Sequence, residues 1–292
     1  MNARIGILGK GGAGKSTCAV FVARAMAGRG HKVVILDADS TNRGLHLALG
    51  IAEMPRSLIE FFGGTVFRGG TVSCPVDDPM PLKQARISLT DLPGDYLGES
   101  PESITYLAAG KLGSDGPGAG CDGPLAKIAR DLVIGDDTGD CVTLIDLKAG
   151  LEDMVRGVIT GLDLVVVVVD PTVASLALAQ ETVAMVKAIK AGELPATRHL
   201  ESEDLVRVAN ETYRNARIKH ALVLLNRISS NDIEQRLKLR LAEAGITVSG
   251  SIPERPEVSA RWLEGRRLPE SSDIDGIASV VARAEDLLKN ER

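Results

Sequence analysis

Cysteine is scarce in this chain: Cys18, Cys74, Cys121 and Cys141 are scattered through 292 residues, a spacing that offers no disulfide framework. Long hydrophobic runs are missing as well. No uninterrupted apolar stretch could span a bilayer, and no signal-peptide pattern precedes the first apolar run, so a cytoplasmic protein without a membrane partner is expected. There is no block of Lys and Arg, and the formal net charge is -5, which leaves no electrostatic footprint for nonspecific DNA binding. Repeats and low-complexity tracts are also absent. What is present is 44% hydrophobic residues, enough to bury a substantial core, and no linker interrupts residues 1–292, so one domain is expected.

Short, continuously apolar runs predict strands at 5–8, 33–37, 104–108, 142–146, 164–169, 221–225 and 246–249. Helical spacing alternates with them at 15–28, 124–134, 152–161, 174–190, 232–244 and 276–289. Strands apolar on both faces are covered on both faces, and right-handed crossovers then give an α/β fold: a doubly wound, mostly parallel sheet. Its functional site belongs at the carboxyl ends of the strands. Residues 65–100, rich in Gly, Pro and Asp, and the polar, helix-compatible 192–217 break the alternation and read as insertions.

Between the first strand and first helix lies Gly9-Lys10-Gly11-Gly12-Ala13-Gly14-Lys15-Ser16, a match to the phosphate-loop pattern G-x-x-x-x-G-K-[ST]. Glycines let consecutive N–H groups approach phosphate oxygens, Lys15 adds a mobile positive charge, and the Ser16 hydroxyl is a hard ligand for Mg²⁺. Gly11, Gly12, Ala13, Gly14, Lys15, Ser16 and Thr17 are therefore expected to hold ATP. Lys10 follows the first glycine, where it cannot easily fold back onto phosphates in its own loop; a partner subunit's nucleotide is its natural target.

GKGGAGKS resembles the deviant Walker A loop of the superfamily that includes MinD, ParA, the nitrogenase iron protein and the nickel-insertion ATPases. The resemblance implies a P-loop fold and a homodimer in which Lys10 reaches across to neutralise charge on the transferring phosphoryl group. It also nominates Asp39, in the run Asp37-Ala38-Asp39-Ser40-Thr41-Asn42-Arg43, to orient the attacking water, with Asp37 supporting Mg²⁺ or its waters. A local cap by Asp39 or Ser40 is compatible with that role. Thr143-Leu144-Ile145-Asp146 ends a buried strand in an acid, as a Walker B carboxylate for Mg²⁺ would, and Gly150 is placed to lend an N–H near the terminal phosphate. Asn226, Pro253 and Glu254 follow the last two strands and resemble base-binding elements; an Asn amide matches the adenine edge, which favours ATP.

Cys121 sits in the glycine-rich stretch 116–124, just before a helix, a position that favours thiolate. The stretch is similar to the cysteine loop of the nitrogenase iron protein and of the carbon monoxide dehydrogenase nickel-insertion ATPase, which implies a metalloenzyme client. The chain departs from both patterns. Gly123 stands where the nickel-insertion proteins have a second cysteine, and Glu152-Asp153-Met154 carries no thiol where the iron protein has one. A homodimer would thus bring two Cys121 thiolates together, too few for an ordinary [4Fe–4S] cluster. Two readings stay open: a Ni²⁺ or Zn²⁺ site at the dimer interface with other ligands such as Asp122, or an inert cysteine. The rival functional class is a positioning ATPase of the ParA or MinD type, acting on DNA, membrane or a protein partner. A C-terminal helix without a basic, aromatic-bearing face argues for packing on the sheet instead.

Overall fold

The computed structural model describes residues 1–111, 121–135, 141–271 and 274–290. Its strands are β1 (Ala3–Gly9), β2 (Lys32–Asp37), β3 (Arg86–Ser88), β4 (Gly98–Glu99), β5 (Thr105–Ala108), β6 (Val133–Gly135), β7 (Cys141–Asp146), β8 (Leu164–Val169), β9 (His220–Ile228) and β10 (Val248–Pro253). Eight of them form one sheet in the order β10-β9-β8-β1-β7-β2-β5-β4, parallel throughout except for β4, which closes the edge antiparallel to β5. The helices are α1 (Lys15–Gly28), α2 (Leu45–Leu49), α3 (Leu58–Phe61), α4 (Gly123–Asp131), α5 (Glu152–Val155), α6 (Val173–Lys190), α7 (Glu203–Arg214), α8 (Asn231–Glu243), α9 (Pro256–Leu263) and α10 (Asp275–Lys289).

The apolar strand runs divide by their period of two. Ile5, Ile7, Val33, Ile35, Val166 and Val168 face one core with α1, α2 and α10; Leu8, Val34, Leu36, Val165 and Val167 face the other with α4, α5, α6 and α8. Both faces are therefore dry, which is why the sheet can be parallel. The helix α10 packs as its sequence pattern predicts, burying Ile277, Val280, Val281 and Ala284. No helix among the described residues is long and apolar enough to cross a membrane.

Three expected elements come out differently. The helix expected over 152–161 stops at Val155 because Gly157 takes a left-handed conformation (φ +85°), and a 3₁₀ turn, Val158–Gly161, follows. The helix expected to reach 134 ends at Asp131, after which Val133–Gly135 pairs in parallel with Arg86–Ser88. The last strand begins at Val248, not 246, since Ile246 N–H closes the turn after α8 by donating to Leu241 O. The stretches at 65–100 and 192–217 touch: His199 Nε2 lies 3.0 Å from Val76 O, and together with Val155 and Arg156 they wall a small cavity.

Candidate functional site

β1, β2 and β7 lie side by side at the centre of the sheet, so their carboxyl ends deliver three loops to one place. Asp37 and Asp146 are directly opposite each other in the β2–β7 register, and Ile7 faces Asp146 from β1. The phosphate loop turns out of β1 with Gly12 and Gly14 at φ +83° and +92°, conformations that a side chain would strain. Gly14 is also the residue from which α1 starts, and no acidic side chain occupies the first turn of that helix, so its N–H groups are left for an anion. Lys15 is buried at this point, while Gly11 and Gly12 face solvent.

Ser16 ties the loop to the neighbouring strands. Its hydroxyl donates to Asp146 Oδ2 (2.6 Å) and accepts from Asn42 Nδ2 (2.8 Å). Asp146 Oδ1 and Asp37 Oδ1 are buried without a partner among the described residues. Burial, then the neighbouring Asp37 charge, push the Asp146 carboxyl up to about 7, against the pull of Lys15 and the Ser16 hydrogen bond. Two unpaired carboxylate oxygens beside a hydroxyl are a hard, oxygen-only donor set that a Mg²⁺ ion would satisfy. Ser16 and Asp146, with Asp37 behind them, are thus the residues that fit the ion.

Asp37 is held by two donors that the motif alone does not reveal: Tyr106 Oη and Lys111 Nζ both bond its Oδ2 at 2.7 Å. Burial raises its carboxyl, and Lys111 opposes that rise. Lys111 Nζ also donates to the Asp39 carbonyl at 2.7 Å, fixing the start of the 37–43 segment. Asp39 lines the cavity beside the phosphate loop; its Oδ1 accepts from Thr41 N–H (3.0 Å) and Thr41 Oγ1 (2.7 Å), an Asx turn rather than a helix cap. Lys10 does not line that cavity; its Nζ lies 3.7 Å from Asp170 Oδ2, just beyond β8, and its side chain is 37% exposed.

Gly150 corrects an expectation. Its N–H is donated to Gly9 O (3.1 Å), so this conformation does not present it to a phosphate; at φ +83° only a glycine is at ease there. Asn226 lines the cavity as expected, yet its amide already donates to Ala13 O (2.7 Å), bracing the phosphate loop from β9. Pro253 and Glu254 line the same cavity of about 450 Å³, which also takes in Trp262 of α9. Trp262 Nε1 donates to Thr17 Oγ1 at 2.8 Å, a contact across 245 residues with no local signature.

Cys121 lies outside this cavity, and residues 116–120 of its loop lie outside the described residues. Its sulfur accepts the Gly123 N–H (3.3 Å) at the start of α4. The next residue, Asp122, is buried and ion-paired with Lys148, two positions beyond Asp146. Lys148 N–H in turn donates to Asp153 Oδ2 (2.9 Å), whose carboxyl burial pushes up to about 6. Cys74 is the thiol that sequence reasoning passed over. A Cβ at Gly123 would stand 2.7 Å from Cys74 Sγ, so Cys74 fills the space beside Gly123; burial raises the pKa of its thiol, and Cys121 adds to the rise. Among the described residues no three His, Cys, Asp or Glu side chains of one chain form a metal cluster.

An ATP-binding protein of Methanocaldococcus jannaschii is 34% identical over 180 residues, covering 61% of this chain and 71% of that protein. The carbon monoxide dehydrogenase accessory protein CooC of Rhodospirillum rubrum is 32% identical over 177 residues, 59% of this chain and 65% of that one. Among solved structures, MinD of Pyrococcus horikoshii, in complex with Mg-ADP, superposes with a TM-score of 0.61 at 17% identity, spanning 100% of this chain and 99% of that chain. The family model of the CobQ/CobB/MinD/ParA nucleotide binding domain matches residues 7–268, and the chain, with its phosphate loop set against Asp37 and Asp146, belongs to that family.

Proposed function

We propose that this protein is a Mg²⁺- and ATP-dependent switch ATPase that works as a homodimer and assists the maturation of a metalloenzyme. The observation that carries the reading is the Ser16–Asp146–Asp37 cluster, because it joins the phosphate loop to the two segments that would sense the terminal phosphate. Loop N–H groups and Lys15 hold the triphosphate, and bound Mg²⁺ would supply charge neutralisation between its phosphate oxygens. Asp39 Oδ2, which carries no hydrogen bond among the described residues, orients the water that attacks the terminal phosphorus, and the bond to the bridging oxygen breaks to give ADP and phosphate. Lys10, partly exposed and outside its own cavity, enters the site of the partner subunit and offsets the charge that develops there.

The client assignment rests on the likeness to the carbon monoxide dehydrogenase accessory protein and on the placement of Cys121. Nucleotide state has a route to that cysteine: Lys148 links the segment after Asp146 to Asp122, its neighbour in sequence. Hydrolysis would then alter the surface around Cys121 and the affinity for the client.

Turnover is measured as ADP release. Lys10→Ala and Asp39→Ala are expected to abolish it while nucleotide binding persists; unchanged turnover in either removes the mechanism. The client arm is tested by metal analysis of anaerobic dimer with ATP after challenge with Ni²⁺ or Zn²⁺. Stoichiometric metal that is lost in Cys121→Ala supports delivery, and no metal in either protein leaves a metal-free switch.

A further inference from the structure

The cavity beside the phosphate loop is polar at one end and apolar at the other. Lys15, Ser16 and Asp39 line the first, while Phe21, Val258 and Trp262 line the second. Val258 and Trp262 are four apart on α9, so they share one face of that helix and present it to the cavity. Trp262 is the only tryptophan of the chain.

The ring of Trp262 is fixed at two points. Nε1–H donates to Thr17 Oγ1 (2.8 Å) in the first turn of α1, and a Cβ on Gly44 would lie 3.1 Å from Cζ3, so the ring rests against the backbone just beyond the 37–43 segment. Because the Thr17 hydroxyl accepts from the indole, its own proton is free to donate to an anion beside Ser16. A half-buried indole held by the phosphate-loop helix at one edge and by Gly44 at another leaves its remaining surface to the cavity.

We infer that Trp262 is the specificity-determining residue of the nucleotide site: it stacks on the aromatic base of a nucleoside triphosphate, and it distinguishes that ligand from a bare polyphosphate. The inference rests on the nucleotide-binding reading above. Base–aromatic stacking makes truncation cost roughly 10- to 100-fold in affinity. The other phosphate contacts belong to other residues, and the Thr17 bond that truncation removes is removed equally in Trp262→Phe, which keeps an aromatic ring and so isolates stacking. The same contact makes Trp262 a reporter, since its fluorescence responds to a base laid against it.

The test is calorimetric titration of the full chain with Mg-ATP and, separately, with Mg-tripolyphosphate, for wild type, Trp262→Leu and Trp262→Phe. Stacking predicts that Trp262→Leu weakens ATP roughly 10- to 100-fold and tripolyphosphate less than about twofold, with Trp262→Phe close to wild type for both. Equal losses for the two ligands, or none for ATP, overturn the inference and make Trp262 a packing residue. Wild-type fluorescence gives an arm that needs no variant: ATP should change the emission and tripolyphosphate should not, and identical responses count against stacking. If wild type binds neither ligand, it is the nucleotide reading that fails, and the role of Trp262 falls with it.

Discussion

Replacing Lys148 by methionine separates the segment after Asp146 from the start of α4. In the free protein Lys148 Nζ pairs with Asp122 and lies 3.1 Å from Glu152, but the two partners differ in burial: the Asp122 side chain is 9% exposed and that of Glu152 53%. The Glu152 pair, half in water, contributes about 0.5 kcal/mol or less. Asp122 Oδ1 is already buried without a partner, so loss of Lys148 leaves an uncompensated carboxylate, and a charge-assisted bond of this kind is worth about 2 kcal/mol. For a chain of this size that is a fall of about 4 °C in Tm. Lys148→Met, Asp122→Asn and the double variant complete a thermodynamic cycle whose coupling energy is expected near 2 kcal/mol without nucleotide. Gly150, two residues on, donates its N–H to Gly9 O, and a terminal phosphate in the loop competes for that donor. With a non-hydrolysable ATP analogue and Mg²⁺ the coupling should therefore change by about 1 kcal/mol or more. A coupling within about 0.5 kcal/mol of zero in the free protein, or one indifferent to the analogue, would refute a mechanical link between the phosphate sensor and the Cys121 region.

Asn226→Ala removes the donor on Ala13 O and should weaken ATP binding about fivefold to tenfold, since a bond of about 1 kcal/mol braces the loop; titration of the variant checks this. Gly276→Ala places a methyl 2.0 Å from the Ser251 carbonyl, forcing α10 off β10, and should cost about 3 kcal/mol in denaturant unfolding. In Glu285, hydrogen bonds from Arg29 and then His31 hold the carboxyl down at about 2, below its ordinary 4.5, so its contribution is complete above about pH 4.5 and fades as pH falls toward 2. Arg29 is 45% exposed, so water screens that contribution; Glu285→Gln should lose it at neutral pH and approach wild type near pH 2 in unfolding measured across the range.

Much of the fold and part of the site are encoded locally. The phosphate loop is a property of consecutive residues: glycines where the backbone must turn left-handed, then a lysine and a hydroxyl at the start of a helix, and α1 begins and ends where its pattern places it, Lys15–Gly28. Strand runs such as Leu164–Val169 are continuous in apolar residues because both faces are buried, and that too is written along the chain. Asp37 and Asp146 each end such a run, and parallel strands send their carboxyl ends to one side; the role of Asp39 comes from the resemblance of the 37–43 run to a known family, not from its position. Their register could not be read. It takes the pairing of β2 with β7 to set Asp37 opposite Asp146. Helix ends depart from the periodic pattern where a single backbone conformation, such as that of Gly157, outweighs it.

What the sequence determined by itself was the chemistry of short segments, since spacing of a few residues fixes which groups a turn or a strand end presents. Tertiary structure alone decided their partners. Lys111 reaches Asp37 across 74 residues, Trp262 reaches Thr17 across 245, and Lys148 meets Asp122 across 26. No local propensity selects one distant lysine, indole or carboxylate over another; that choice is made when the sheet order brings β5, β7 and the helix after β10 around the loop that follows β1, and burial makes an unpaired alternative costly.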